Sequence, residues 1–357
     1  LNSVPVDIDA NNFTSYIPVP GSSTIHNDED GLNPIVYDSD GSIIDAYFGV
    51  GQGTGVDATV VGFAASSIII GSRYFTEGFA VINGNSNLPI NDNELTLIVA
   101  HEIGHFIGLD HSQADINNTE SLDPLVPVTL PSCTTSPTID YPLMYPYACR
   151  INQVTHPDDD VAVSTLYPTA DFFQNQGQLT GTFVTTDGTE VKGTNLWVIN
   201  TQTGDVYSVV SDYLMQCNGF FALMLPAGEY ILHANSINRE FFGGSSVGPY
   251  ASNPLDFSFQ LPASTIGADL VFKADGALPA FITLEAGKSV EVVFKTDGSG
   301  SVTPSDTQIA LTEIYNTSTA CSVSSGGGGG GGGSPSLPLL GALLCIPLFR
   351  AGTRKPC

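Results

Sequence analysis

His101-Glu102-Ile103-Gly104-His105-Phe106-Ile107-Gly108-Leu109-Asp110-His111 is the stretch on which the reading of this chain turns. It has the order H-E-x-x-H-x-x-G-x-x-H. On a helix of 3.6 residues per turn, His101 and His105 lie one turn apart on one face, so both rings can reach a single ion. Glu102 falls off that line, too far round to be a ligand but near enough to act on a water beside the ion. Gly108 permits the backbone turn that ends the helix and swings His111 back as a third ligand. Three neutral imidazoles with an open fourth position form the donor set of catalytic rather than structural zinc. The chain has six histidines and three fall within these eleven residues, which disfavours a chance surface cluster. Zinc so held brings the pKa of a water to about 7. Glu102 is then placed to take the water's proton and hand it to a leaving amine, base first and acid afterwards.

The flanks predict a buried helix. Asn91, Asp92 and Asn93 are good N-cap residues, and Glu94 stands in capping-box register with Asn91. Leu95, Leu97, Ile98, Val99, Ile103, Phe106 and Ile107 supply an apolar face for a helix of about four turns.

Further downstream come Tyr141-Pro142-Leu143-Met144-Tyr145-Pro146 and the pair Asp158-Asp159, followed by Leu166-Tyr167. With the histidine motif, and with Ser112 directly after His111, this pattern resembles the metzincin zinc endopeptidases and, among them, the matrixins. The resemblance covers residues 1–170, with its specific motifs between 91 and 167. It implies an α+β catalytic domain with a mixed twisted sheet, an active-site helix and a closing helix. It also implies a methionine turn at Met144 beneath one zinc ion and a substrate pocket lined by Pro142, Tyr145 and Tyr147. Asp158 and Asp159 would anchor the domain's N-terminus and brace the methionine turn. The implied activity is hydrolysis of peptide bonds in extracellular proteins, with Glu102 as general base.

The chain departs from matrixins in two ways. The stretch from His111 to Met144 is longer and contains Cys133, and a disulfide from Cys133 to Cys149 would pin this insertion. Upstream, His26 alone is available for the matrixins' second, structural zinc, so that ion is expected to be missing. The alternative reading is a non-catalytic surface adhesion or binding protein that keeps the motif. Glu102 argues against it, because a purely structural site has no use for that carboxylate.

Formal charge is −26, from 36 Asp and Glu against 10 Lys and Arg. Such a balance excludes nucleic acid as a partner and disfavours anionic membrane surfaces. Asp38, Asp40 and Asp45 are spaced around Gly41 as in calcium loops, which makes them candidate Ca2+ ligands beside the plainer reading of an acidic turn. The chain starts at Leu1 with no leader and no zinc-capping cysteine motif, so a processed or truncated start is expected.

Past a linker at 171–176 the character changes. Residues 177–275 read as short strands broken by Gly, Asp and Asn turns: 179–185, 195–200, 205–210, 220–225 and 230–234. This spacing suggests an all-β sandwich. Gly219-Phe220 and Leu225-Pro226-Ala227-Gly228-Glu229-Tyr230 resemble the carboxypeptidase-regulatory-like, or prealbumin-like, sandwich. Residues 276–320 are a β-rich extension, with strands at 281–284 and 290–295. Cys217 and His233 read as packing residues.

The tail, 321–357, holds eight glycines (Gly326 to Gly333), an apolar run from Leu337 to Phe349, and then Arg350, Arg354 and Lys355. It resembles the bacterial GlyGly-CTERM sorting signal. Thirteen apolar-run residues fall short of the roughly twenty of a permanent span, so a transient membrane insertion is implied. The expected protein is an exported monomer, secreted or held at a bacterial surface, whose partners are protein or peptide substrates.

Overall fold

The computed structural model of the chain describes residues 33–55, 58, 60–68, 75–85, 87–88, 90–114, 141–145, 155–213, 217–237, 247, 250–251, 261–266, 269–274 and 278–310. They form two compact units. One is drawn from Leu1–His111 and Ser132–His156, the other from Ser112–Pro131 and Pro157–Pro338.

In the first unit the order is β1 (Ile35–Asp38), α1 (Ser42–Phe48), β2 (Gly62–Ile68), β3 (Phe75–Asn83) and α2 (Asp92–Phe106). The central strand is β3, with β1 parallel on one side and β2 antiparallel on the other. The run Phe79-Ala80-Val81-Ile82 is buried throughout, as a strand covered on both faces requires. Phe63 is fully buried, with Phe48 edge-on at 5.1 Å and Phe79 at 5.9 Å, and it packs with Val36, Ile44 and Val81. Ile98 joins α2 to a smaller group of Ala58, Val61 and Leu88. The N-terminus of α2 is a complete capping box. The Asn91 side chain accepts from the amides of Asn93 and Glu94 at 3.0 and 3.1 Å, and the Glu94 carboxylate accepts from the Asn91 amide at 2.7 Å.

The acidic loop lies around α1. Asp38 accepts from the Ile44 amide at 3.0 Å and Asp40 from the Ser42 amide at 3.0 Å. Asp45 accepts from the Gly53 amide, the Thr54 amide and the Thr54 hydroxyl at 2.7, 3.1 and 2.6 Å. Partial burial raises the Asp45 pKa, but hydrogen bonds from the Gly51–Thr54 turn outweigh it and bring it to about 2. A depressed carboxyl stabilises the fold once the unfolded chain's group is ionised, and loses that contribution as pH falls through the folded value. Wild type is therefore expected to melt higher than Asp45→Asn above pH 3.8, with the gap closing as pH falls toward about 2. Thermal melts across that range check this, and a gap that persists at the acid end would refute it.

The first helices of the second unit are α3 (Pro157–Leu166) and α4 (Phe172–Asn175) among the described residues. The strands follow as β4 (Gln176–Val184), β5 (Thr194–Asn200), β6 (Val206–Val210), β7 (Phe220–Pro226), β8 (Gly228–Ser236), β9 (Tyr250–Ala251), β10 (Leu261–Pro262), β11 (Leu270–Val271), β12 (Lys273–Ala274), β13 (Phe281–Leu284), β14 (Ser289–Lys295) and β15 (Ser299–Ser305). Among the described residues they make a short β9–β10 pair and two five-stranded sheets. One sheet runs β11-β8-β5-β6, with β13 also on β8, and the other runs β12-β15-β14-β4-β7. Both contribute to one core that includes Leu179, Phe183, Leu196, Val198, Leu232, Phe272 and Phe294. Burial of side chains this large contributes about 1.5–3 kcal/mol each. The segment 281–305 supplies strands to both sheets and so belongs to the same core as 176–236. Tyr230 closes the β7–β8 corner by donating its hydroxyl to the Pro226 carbonyl at 2.7 Å.

The structure overturns the α+β fold class implied by the metzincin resemblance. The described residues are 41% strand and 18% helix, arranged as several sheets with four helices. The first unit carries three described strands, and α3, expected to close it, packs against β6 and β7 of the second unit. The reason lies in the reach of the motif. H-E-x-x-H-x-x-G-x-x-H dictates the geometry of one helix and the turn after it, and says nothing about how many strands surround them. Cys217 is disulfide-bonded. No helix among the described residues is long and apolar enough to cross a membrane.

Candidate metal centre

His101 and His105 project from the last two turns of α2, and His111 follows a turn at Gly108. Gly108 has φ +96°, a backbone state closed to most L-residues, and a Cβ there would lie 2.2 Å from the ring of Phe75. The three histidines are 3%, 2% and 3% exposed, and their ligand atoms lie within 4.8 Å of one another. Among the described residues, three side chains of metal-binding type gather in this way only here. These three histidines could hold a metal ion.

The hydrogen bonds decide which nitrogens face inward. The Nδ1 of His101 lies 2.6 Å from the Leu143 carbonyl oxygen, and that of His105 lies 2.9 Å from the Leu109 carbonyl oxygen. A carbonyl only accepts, so Nδ1 carries the proton in both rings and Nε2 presents a lone pair. Those two Nε2 atoms face each other at 2.9 Å. Two lone pairs at that distance repel unless a cation lies between them. Nitrogens about 2.0–2.1 Å from one tetrahedral zinc stand about 3.4 Å apart, wider than the 2.9 Å of this pair and inside the 4.8 Å that spans all three ligand atoms. The donor set suits a metal ion. Burial lowers the His101 pKa to about 4. Burial, reinforced by the other two imidazoles, holds His105 well below its usual range. Neutral rings are what a metal requires.

Glu102 is completely buried, and neither carboxylate oxygen has a hydrogen-bond partner among the described residues. Burial therefore pushes its pKa well above the usual range. A Cβ at Gly62 of β2 would come within 3.0 Å of the Glu102 carboxylate, so this glycine gives the side chain its space. Met144 is 2% exposed and lies against α2 at Gly104, where a Cβ would stand 2.2 Å from its Sδ. The structure thus brings Met144 to the helix that carries His101 and His105. Pro142 is buried, and Tyr145 is buried edge-on to Tyr141 at 4.9 Å.

Asp158 and Asp159 are buried near the start of α3, in the second unit. Asp158 accepts from the Ser112 hydroxyl and, at 2.8 Å, from the Ser208 amide. Burial pushes it up to about 7, with the Ser112 hydrogen bond pulling down and the Asp159 charge pushing up. Asp38, Asp40 and Asp45, the candidate calcium ligands, form no three-residue group of the kind the histidines make. Tyr147, Cys133, Cys149, His26 and the tail at 321–357 lie outside the described residues.

Sequence reasoning missed the carbonyls of Leu143 and Leu109, which carry no side-chain signature. It also missed Gly62, Gly104 and Ser208. For Gly104 a signal existed, since a glycine in the middle of a helix costs about 1 kcal/mol against alanine and calls for a reason.

No family model matches the chain, and no curated protein matches it. Among solved structures it is similar to a candidate cell adhesion protein from Bacteroides ovatus, at 8% identity and a TM-score of 0.22, over 38% of this chain and 46% of that one. The chain thus spans less than half the length of that protein, and a likeness at this level carries no argument about fold or function.

Proposed function

We propose that this chain is a zinc-dependent endopeptidase. The observation that carries the proposal is the convergence of three buried imidazoles, two with their proton turned outward onto carbonyls, next to the buried, unpartnered carboxylate of Glu102. A buried acid without a hydrogen bond destabilises the fold, and it is kept where its proton has work to do. Zinc, when bound, supplies the Lewis acidity that activates water at neutral pH and polarises a carbonyl. His101, His105 and His111 would hold the ion, and the carbonyls of Leu143 and Leu109 hold two of the rings in the binding tautomer. With a bound cation's charge beside it Glu102 would be ionised, free to take a proton from water on a carboxylate oxygen and return it to the leaving amine. The Leu143-Met144-Tyr145 turn against the site, with its matrixin-like wording, supports a peptide substrate. The Cys217 disulfide and the glycine-rich, apolar, basic tail support export to an oxidising compartment.

The test uses the full chain with an unfolded protein substrate. One zinc per chain is expected, with cleavage abolished by a chelator and restored by added zinc. Zinc bound without cleavage, or cleavage indifferent to chelation, would defeat the proposal.

A further inference from the structure

His111 leaves α2 through a turn that lies wholly within the first unit. The Gly108 amide donates to the His105 carbonyl and the Leu109 amide to the Gly104 carbonyl, both at 2.9 Å. These are the two nested bonds of a Schellman motif, with Gly108 as its left-handed residue. The space where a Cβ of Gly108 would stand is taken by Phe75, the first residue of β3, three of whose ring atoms lie 2.2, 2.3 and 2.8 Å from that point. A second contact of this kind lies three residues along the strand. There a Cβ on Gly78 would stand 2.6 Å from the Phe106 carbonyl oxygen and 3.2 Å from its ring. The end of the ligand helix and the start of β3 thus interlock, a ring from each side set against a glycine of the other. β3 is the central strand of its sheet, and Phe75 itself pairs with Ile68 of β2. At 36% exposure Phe75 stands outside the core group around Phe63. What it touches is the turn before His111.

We infer that Phe75 is a positioning residue for the third metal ligand: its ring holds the Gly108 turn in the conformation that returns His111 to His101 and His105. This rests on the metal-centre reading above. His101 and His105 come from one helix and keep their spacing by helix geometry alone. His111 follows a glycine, which visits left- and right-handed states about equally and loses more freedom on ordering than any other residue. The two amide bonds of the turn favour the left-handed state, but Gly108 is only half-buried and water competes for them. A ring against Gly108 excludes water from that side and leaves the glycine no room to swing toward the strand. The turn is then ordered before an ion arrives, and the entropy of ordering it no longer weakens binding.

The experiment takes the full chain and three variants. It measures zinc affinity by competition with a chromophoric chelator, the visible absorption of the Co2+-loaded protein, and melting temperature without metal. Phe75→Ala is expected to weaken zinc binding about tenfold or more, the usual cost of losing a group that orients a ligand. Its Co2+ bands are expected to weaken as well, because a site that exchanges a protein nitrogen for water departs from tetrahedral geometry. Phe75→Tyr, which keeps the ring, is expected to retain wild-type affinity and spectrum. Val36→Ala, a cavity in the first unit's core, is expected to lower the melting temperature and leave zinc affinity and the Co2+ spectrum unchanged. Wild type that binds zinc while Phe75→Ala binds it equally well, with the same Co2+ spectrum, would overturn the inference. So would losses in Val36→Ala as large as those in Phe75→Ala. Wild type that binds no zinc would remove the metal-centre reading itself, and this inference with it.

Discussion

Glu102→Gln is expected to bind zinc like the wild type and to cleave an unfolded protein substrate at least a hundredfold more slowly. Glutamine has nearly the same shape, so the buried pocket beside Gly62 is filled and the helix is undisturbed. What is lost is a group that can carry a proton. General acid–base catalysis of this kind contributes about 10²–10⁴-fold. The change should also raise the melting temperature of the metal-free protein, or leave it unchanged, because a neutral amide replaces an acid that is buried without hydrogen bonds. Zinc stoichiometry, single-substrate kinetics and a thermal melt on one preparation read all three quantities. Cleavage by the variant at the wild-type rate would show that Glu102 moves no proton and would remove the endopeptidase reading.

Gly104→Ala should damage the site from beneath. By helix propensity alone, alanine would add about 1 kcal/mol of stability at an interior helix position. Here its Cβ would stand 2.2 Å from the Met144 sulfur and 3.0 Å from the methyl carbon beyond it. Met144 is 2% exposed, so its side chain, the turn at 141–145 or the helix must move. Overpacking of this kind costs about 1–3 kcal/mol, which exceeds the propensity gain. Moving the turn also takes the Leu143 carbonyl from His101 Nδ1, so zinc affinity should fall about tenfold or more. Shortening the obstructing side chain in Gly104→Ala/Met144→Ala should recover part of both losses. A melting temperature and zinc affinity equal to wild type in the single variant would mean that Met144 does not press on the helix.

The helix that carries the ligands was legible because its signals are local. Asn91 and Glu94 mark its start, the histidine spacing marks one face, and Gly108 marks the turn at its end. The strands at 281–284 and near 290–295, 195–200 and 220–225 were legible for the same reason: runs of β-branched and aromatic residues bounded by turn residues. Their partners were not. That β4 lies beside β14, across more than a hundred residues, leaves no mark in either strand's alternation. Nor does the bond from Asp158 to the Ser208 amide, since a backbone group looks alike at every position. The α+β expectation failed because a motif confined to a helix and its flanks was extended to a whole domain. The prevalence of strand follows from the core-forming runs after residue 176, which outnumber the helices.

The parallel pairing of β4 with β14 has a consequence for how the molecule is made. During synthesis β4 can pair with β7 as soon as residue 226 is available, yet its other edge stays open until residues 289–295 emerge. For that interval a nascent chain carries an unpaired strand edge, the template for joining another chain. A chain cut short before β14 would keep that edge permanently. The last strands of the second unit therefore guard its first one against self-association.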